Sequence, residues 1–382
     1  MNTSFADIEK KENRKDLIIS ICVFLSGFSC FAQLYYFQPL LPDLAKDFIL
    51  SASESSFAIS FSTLGMVFGL FTTMFVADRI PRKKMIGTGL LSSSIFSVAA
   101  SFSPTFLPLI LLSAAKGFLL SGATSVSMAY IAEEVSSRNK GKIMGLYIAL
   151  GGMAGRVISS WIGALYTWRI ASVSIGLICA LFAILFLLFS PRSTNFMPRK
   201  ESFHTLIIAN LQLITSKALI PFYLTGGLIL GVFVSLYNYL GFYLTKAPFN
   251  FPEHYIHYIY LMYIFGIFGS IATAGLTRYF THFKVLKAMF LVSAAGILLL
   301  YITDFRVVTL GLAVFTFNFF VVHVLCNRIV SDYNLSKRSV TISIYLLTYY
   351  LGSSLLGWGT GVILDTWGWQ YFLGSLILIL LI

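Results

Sequence analysis

The sequence predicts an all-α membrane protein in which twelve transmembrane helices form two pseudo-symmetric bundles of six. Three observations lead there. Of the 382 residues, 57% are hydrophobic and only 11% charged, against roughly 45–50% and about 25% in soluble domains. Mean hydropathy is +0.84, so lipid is the solvent for much of this chain. Apolar runs close to the ~20 residues needed to cross a bilayer recur twelve times, and the basic residues gather at alternate junctions between them.

Taken in order, the first sixteen residues are polar and carry Lys10, Lys11, Arg14 and Lys15. They look like the basic start of a secretory signal, but the apolar run that follows is too long for one and lacks a small-residue cleavage site. It is therefore read as an uncleaved first helix over 17–40. Further spans are predicted near 54–76, 85–101, 106–130, 141–165 and 169–190, the third being weak in apolar residues. An inner loop with Pro198, Arg199, Lys200 and Glu201 separates these from spans near 218–245, 257–277, 286–302, 306–330, 338–364 and 367–382, the last of them short. The expected organisation is an N-terminal segment 1–16, a first bundle 17–190, a linker 191–217 and a second bundle 218–382. Weak internal similarity supports the division: GRVISSWIGALYTWRIAS in the first half resembles GSSLLGWGTGVILDTWGWQYF in the second.

Orientation follows from the cations, because Lys and Arg flanking spans are retained on the cytoplasmic side. With the N-terminus inside, 21 of the 27 basic residues fall on inner segments. Lys46, Arg169, Lys246 and Arg306 fall outside, and Lys116 and Arg156 lie within spans. The net charge of +12 is thus mostly a topology signal, with no continuous patch of the kind nucleic acid requires. Cys22, Cys30, Cys179 and Cys326 all sit in apolar runs, as small buried residues do.

Repeated six-span halves are the pattern of a secondary transporter with its site at the midplane between them. No GxxxxGK[ST] loop is present to bind ATP, and nothing resembles a hydrolytic triad, a zinc motif or a dinucleotide loop. Neither enzyme activity, a cofactor nor a metal is expected. Glu253, His254 and His257 look like a metal cluster only superficially and are read as solvated. Glycines four apart (Gly65 and Gly69, Gly151 and Gly155, Gly227 and Gly231, Gly357 and Gly361) let helix backbones approach closely. In the fifth and eleventh spans they could also serve sliding or bending.

Ionisable residues deep in a membrane are costly and mark functional sites. Arg156 is expected either to face a central cavity as a binding or gating charge, or to be satisfied locally by carbonyls and by Ser159 and Ser160. Lys116 either packs between helices or acts in the cavity, where it could carry a proton. His323 is a titratable candidate or a structural donor. Gln33, Tyr35, Tyr36, Gln38, Tyr237, Asn238, Tyr239, Asn318, Tyr345 and Tyr349 complete a polar and aromatic set that could line a site or bond between helices. Among these, Tyr36, Gln38, Asn238, Asn318 and Tyr345 are the favoured candidates. Asp43 and Glu54 could take protons at the outer ends or cap the spans.

The segment FVADRIPRKKMIG resembles the signature G-x-x-x-D-R-x-G-R-[RK] of the major facilitator superfamily. Asp78, Arg79, Arg82 and Lys83 match it, while Met74 and Pro81 replace its glycines. The resemblance implies that these four residues form an inner gate, with Asp78 locked to nearby cations or a helix end. LYYFQPLLPDLAKDF, MAYIAEEV, GLYIALGGMAGR, VSLYNYLGFYL and IYLLTYYLGSS are similar to the bacterial YnfM-type branch, grouped with drug:proton antiporters. Two positions depart from the antiporter pattern: Ser113 where an arginine is usual, and Arg156 where a proline follows glycine.

The resemblance implies the major facilitator fold in a bacterial inner membrane, with a small-molecule substrate and membrane lipid as partners, function as a monomer and a proton gradient as the drive. Export of small organic molecules or drugs is the first expectation. Uptake or exchange of an organic anion is the alternative, motivated by Lys116 and Arg156, and a non-transporting receptor or scaffold is the reading of another class. Cysteines introduced as Lys200→Cys and Lys46→Cys test the orientation in intact cells. A membrane-impermeant maleimide should label only the second, and the reverse pattern would overturn an inside N-terminus.

Overall fold

A computed structural model describes residues 5–135, 140–196, 212–333 and 338–381. Every regular element among them is helical. The chain runs through α1 (Phe5–Tyr35), α2 (Leu41–Phe48), α3 (Ala52–Ser55), α4 (Phe57–Val76), α5 (Arg82–Ser101), α6 (Phe106–Glu134), α7 (Lys140–Leu165) and α8 (Trp168–Phe189). After the linker follow α9 (Ile220–Leu244), α10 (Tyr263–Tyr279), α11 (His282–Leu299), α12 (Phe305–Tyr333), α13 (Arg338–Trp367) and α14 (Trp369–Leu381). Among the described residues nine helical stretches are long and apolar enough to cross a bilayer. The serine-rich α5, the lysine-bearing α7 and the 13-residue α14 complete the twelve. Most of the expected linker, residues 197–211, lies outside the described residues.

The first and second spans differ from the continuous rods expected. Helix α1 stops at Tyr35, the chain turns at Tyr36 and Phe37, and a 3-10 turn (Gln38–Leu40) leads into α2. Pro39 and Pro42 lack a backbone donor and stand in the first turns of the 3-10 segment and of α2, where a missing N–H is tolerated, so the α1 ladder ends before them. Ahead of α4, Ser51 and Glu54 cap α3 reciprocally: the Ser51 N–H donates to Glu54 at 2.8 Å and the Glu54 N–H to the Ser51 hydroxyl at 3.2 Å. Glu54 is therefore a capping residue in this structure. The eighth span opens with a 3-10 segment (Glu253–Met262) before α10, and the side chains of Glu253, His254 and His257 lie outside the described part.

Packing repeats across the two halves. In the first, α4 and α5 lie on α6, α5 on α8, and α1 on α7; in the second, α10 and α11 lie on α12, and α9 on α13. The halves meet where α4 faces α13 and where α7 faces the Glu253–Met262 turn. Without a water-driven hydrophobic effect, close van der Waals approach has to hold such helices together. A Cβ at Gly65 would run into the Ala114 carbonyl, and one at Gly117 into the Ser62 carbonyl. Cβ atoms at Gly227 and Gly231 would each stand 2.8 Å from a carbonyl of α13, those of Thr348 and Gly352. These four glycines are sites of backbone contact. Gly357 has more room, its nearest neighbours standing at 3.4–3.7 Å.

The end of the molecule carrying Lys15, Arg82 and Lys83 is called the basic end below. There the last turn of α6 gathers three distant segments. Glu134 accepts from Lys15 Nζ and the Thr194 hydroxyl, both at 2.9 Å, and from the Asn195 N–H at 2.8 Å. Glu133 accepts from Arg82 at 2.9 Å, while the same guanidinium donates to the Ala77 carbonyl at 2.9 Å. Lys83 Nζ donates to the Ser190 carbonyl at 2.5 Å. Arg79 is exposed, and the Asp78 side chain lies outside the described part. The described bonds of Arg82 and Lys83, the residues expected to ring Asp78, tie α5 to α6 and to the segment after α8.

Burial pushes the Glu134 carboxyl up, but the donors from Asn195, Lys15 and Thr194 outweigh it and hold the group below the ordinary glutamate value. Its stabilising effect is present above that ordinary value, about 4.3, and is lost as pH falls through the lower folded value. Glu134→Gln should cost on the order of 1–2 kcal/mol near neutral pH. The difference in melting temperature from the parent should close on acidification, and a gap that is constant with pH would contradict the charge-based clamp.

Candidate functional site

Between the halves lies a cavity of about 460 Å³, within the range of roughly 300–1,000 Å³ common for small-ligand sites. Its walls come from α1, α6, α7, α9, α10, α12 and α13. Phe233 and Phe319 stack within the wall at 3.8 Å between centroids and an interplanar angle of 18°. At one extreme lie Arg328, Ser331 and Asp332 near the end of α12, and Arg328 and Asp332 are exposed. Alternation of the twelve spans puts this mouth at the basic end. Toward the opposite end the halves are joined. The Ser53 N–H donates to Asp365 at 2.9 Å, Phe57 stacks on Trp358 at 5.5 Å, and the Ser354 hydroxyl donates to the Ser60 carbonyl at 2.8 Å. The structure is therefore open at its basic end and closed at the other.

Arg156 lines the cavity although it is only 3% exposed. Its Nε donates to Gln38 Oε1 at 2.7 Å, and its guanidinium carbon stands 4.3 Å from the Tyr35 ring centroid and 4.8 Å from that of Tyr263. Each ring face contributes about 0.5–2 kcal/mol to holding a cation. Gln38 uses its other end across the interface, donating to Asn238 Oδ1 at 2.8 Å and to the Val234 carbonyl at 3.3 Å. The break after α1 places Gln38 there, since the turn carries its side chain to both α7 and α9. The phenols of Tyr35 and Tyr263 and the Asn238 Nδ2 are buried without a hydrogen bond of good geometry. Ser159, one of the residues expected to satisfy Arg156 locally, instead donates to the Arg156 backbone carbonyl at 3.1 Å.

Gln38 and Asn238 sit beside the cavity without lining it, and the other expected site residues divide between its wall and places behind it. His323 is in the cavity wall, stacked parallel to Phe319, with Nδ1 3.1 Å from the Tyr345 hydroxyl. Tyr345 stands behind that wall and does not line the cavity. Asn318 also points away, donating to the Val314 carbonyl of its own helix at 2.6 Å. Tyr36 turns into the first half, where its hydroxyl meets that of Ser172 at 2.9 Å, and Tyr237 bonds Thr316 at 2.8 Å. These groups follow the helix faces, which a linear reading of polar residues does not resolve.

Lys116 is fully buried in the first half, away from the cavity lining. Its Nζ has no hydrogen-bond partner and stands 4.4 Å from the Tyr36 ring centroid and 5.0 Å from that of Phe37. The turn next to Gln38 is thus in contact with Lys116 on one side while Gln38 itself reaches Arg156 and Asn238. Tyr263 was not among the residues expected in the site, because it sits inside an apolar stretch of aromatics. It is one of three tyrosines in that span, with Tyr258 and Tyr260, and nothing in the sequence singles it out.

A family model described as Major Facilitator Superfamily matches residues 20–357. The chain belongs to this superfamily. An uncharacterized transporter of Buchnera aphidicola subsp. Schizaphis graminum is 31% identical over 380 residues, covering 98% of this chain and 91% of that protein. The inner membrane transport protein YnfM of Escherichia coli K12 is 30% identical over 368 residues, covering 95% and 88%. A bacterial homologue of the human lysosomal transporter Spinster, solved inward-facing and unoccupied, superposes with a TM-score of 0.73 at 15% identity, over 91% of this chain and 82% of that one. The protein is thus a multi-pass membrane transporter with the major facilitator fold.

For a superfamily member working between two states, the joined end must open. Cross-linking Phe57→Cys to Trp358→Cys should hold it shut, abolish transport and be reversed by reductant. Undiminished transport in the cross-linked protein would show that these helices need not separate.

Proposed function

We propose that the protein is a bacterial plasma-membrane transporter with a cytoplasmic N-terminus, exporting small organic molecules by alternating access with proton antiport. The observation that carries this reading is the cavity between the halves, which reaches exposed residues at the basic end and is closed at the other. With the basic end cytoplasmic, this state would load substrate from inside. Opening the far end requires the α4–α13 contacts and the Gln38–Asn238 bond to part while new contacts form at the mouth.

Lys116 supplies the coupling element in this proposal. A charge in the membrane interior is costly unless it is held by partners, and here two aromatic faces are its recorded contacts. The titratable side chains acting on it are Tyr36 and Cys179. Gain or loss of its proton would change the force on the Tyr36–Phe37 turn, and Gln38 follows directly in the chain. The proton state of the first half and the bond across the interface would then move together.

The test is flux in proteoliposomes loaded with a broad compound panel. Collapsing the pH gradient at constant voltage should abolish concentrative transport. Lys116→Met should do the same while leaving exchange of substrate for substrate intact, a split that a merely destabilised variant would not show. Rates indifferent to the pH gradient would sink proton coupling. Binding without flux of any compound would favour a receptor.

A further inference from the structure

Resting on the transporter reading above, we propose that the deep end of the cavity binds the carboxylate of a flat, apolar organic acid. Arg156 is the counter-charge, and the phenols of Tyr35 and Tyr263 are the donors that complete the site. All three residues line one cavity. The two rings flank the guanidinium at 4.3 and 4.8 Å, which fixes its position from either side. Gln38 takes the Nε at 2.7 Å and so fixes the rotation of the guanidinium plane.

The two phenols carry the argument. Both are buried and neither makes a hydrogen bond of good geometry, the Tyr35 hydroxyl lying near that of Ser353, whereas buried polar groups are normally satisfied. A carboxylate has two oxygens with several acceptor sites, enough to meet both hydroxyls and the cation at once. A carboxylate would add a charge-assisted bond to the guanidinium that a neutral ligand lacks. A cationic one would find a single acid among the described lining residues, Asp332, which stands at the mouth 3.8 Å from Arg328.

The rest of the cavity sets the other half of the ligand. Phe31, Phe233, Phe319 and Phe320 offer apolar faces beside the charge, and the stacked Phe233 and Phe319 pair makes part of that wall flat. Ligands rich in phosphate call for clustered cations, and at the deep end of the lining the cation is Arg156 alone among the described residues. The fit is to a monoanion with one or two rings.

Calorimetry on the full-length protein in lipid nanodiscs tests this with three probes that share a ring system: 2-naphthoate, 2-naphthamide and 2-naphthylmethylamine. The acid should bind about tenfold or more tightly than the amide or the amine, as expected for an added charge-assisted pair. Arg156→Gln should abolish that preference, acid affinity falling by about tenfold or more toward that of the amide. Tyr35→Phe and Tyr263→Phe remove one hydroxyl each and nothing else, and each should weaken the acid several-fold and the amide less, narrowing the preference. These two variants keep the proposal testable if Arg156→Gln does not fold.

Equal binding of acid and amide by the parent protein would overturn the site, as would an acid preference that survives Arg156→Gln. Flux of the amide or amine in vesicles with no binding of the acid would overturn it too while leaving the transporter reading intact. Binding of the acid as described, with no flux of any compound, would uphold the site and remove the transport role.

Discussion

A single glutamine holds the interface together at the depth of the cavity. Gln38 accepts from Arg156 with one end of its amide and donates to Asn238 and the Val234 carbonyl with the other. An amide suits this place because it carries acceptor and donor a few ångströms apart and needs no charge. A carboxylate would neutralise the guanidinium and repel the Asn238 and Val234 oxygens, while a lysine would repel Arg156. The position of Gln38 depends in turn on the interrupted first helix. Pro39 and Pro42 stop the ladder, and the turn before them points Tyr36 and Phe37 at Lys116 and Gln38 at the interface. Binding groups, interface bond and buried lysine therefore converge on four consecutive residues.

The two kinds of contact in the molecule differ in character. Within each half, backbones meet through glycines, as at Gly65 with Ala114 and Gly352 with Gly227, where a single methyl group would collide. Between the halves, the contacts are hydrogen bonds and stacked rings, such as Ser354 with Ser60 and Phe57 with Trp358. Backbone contacts of the first kind leave no slack for sliding. Contacts of the second kind can be exchanged for water or for other side chains at modest cost.

Much of this was legible in the sequence, for identifiable reasons. Lipid forces every backbone polar group to be satisfied inside its own segment, so twelve apolar runs read directly as twelve helices. Arg156 stood out because a charge in such a run has few tolerable explanations. What stayed hidden depended on rotation about helix axes. Asn318 and Tyr345 are as polar as Gln38 and Asn238, yet they bond Val314 and His323 within the second half and not across the interface. Tyr263 was invisible as a site residue because its ring acts on Arg156 through its face, which a tyrosine shares with any neighbouring phenylalanine. The part of the basic-end network built by Glu133 and Glu134 was also missed, since their partners lie 51 to 119 residues away along the chain.

That network has a mechanical consequence. By gripping the start of α1, the start of α5 and the segment after α8, the last turn of α6 makes the basic end of the first half a fixed plate. The cavity mouth on the second half is framed by Arg328 and Asp332, an exposed pair 3.8 Å apart on one helix. Any rocking of the first half at this end would therefore carry the start of α1, the start of α5, the end of α6 and the segment after α8 as one piece.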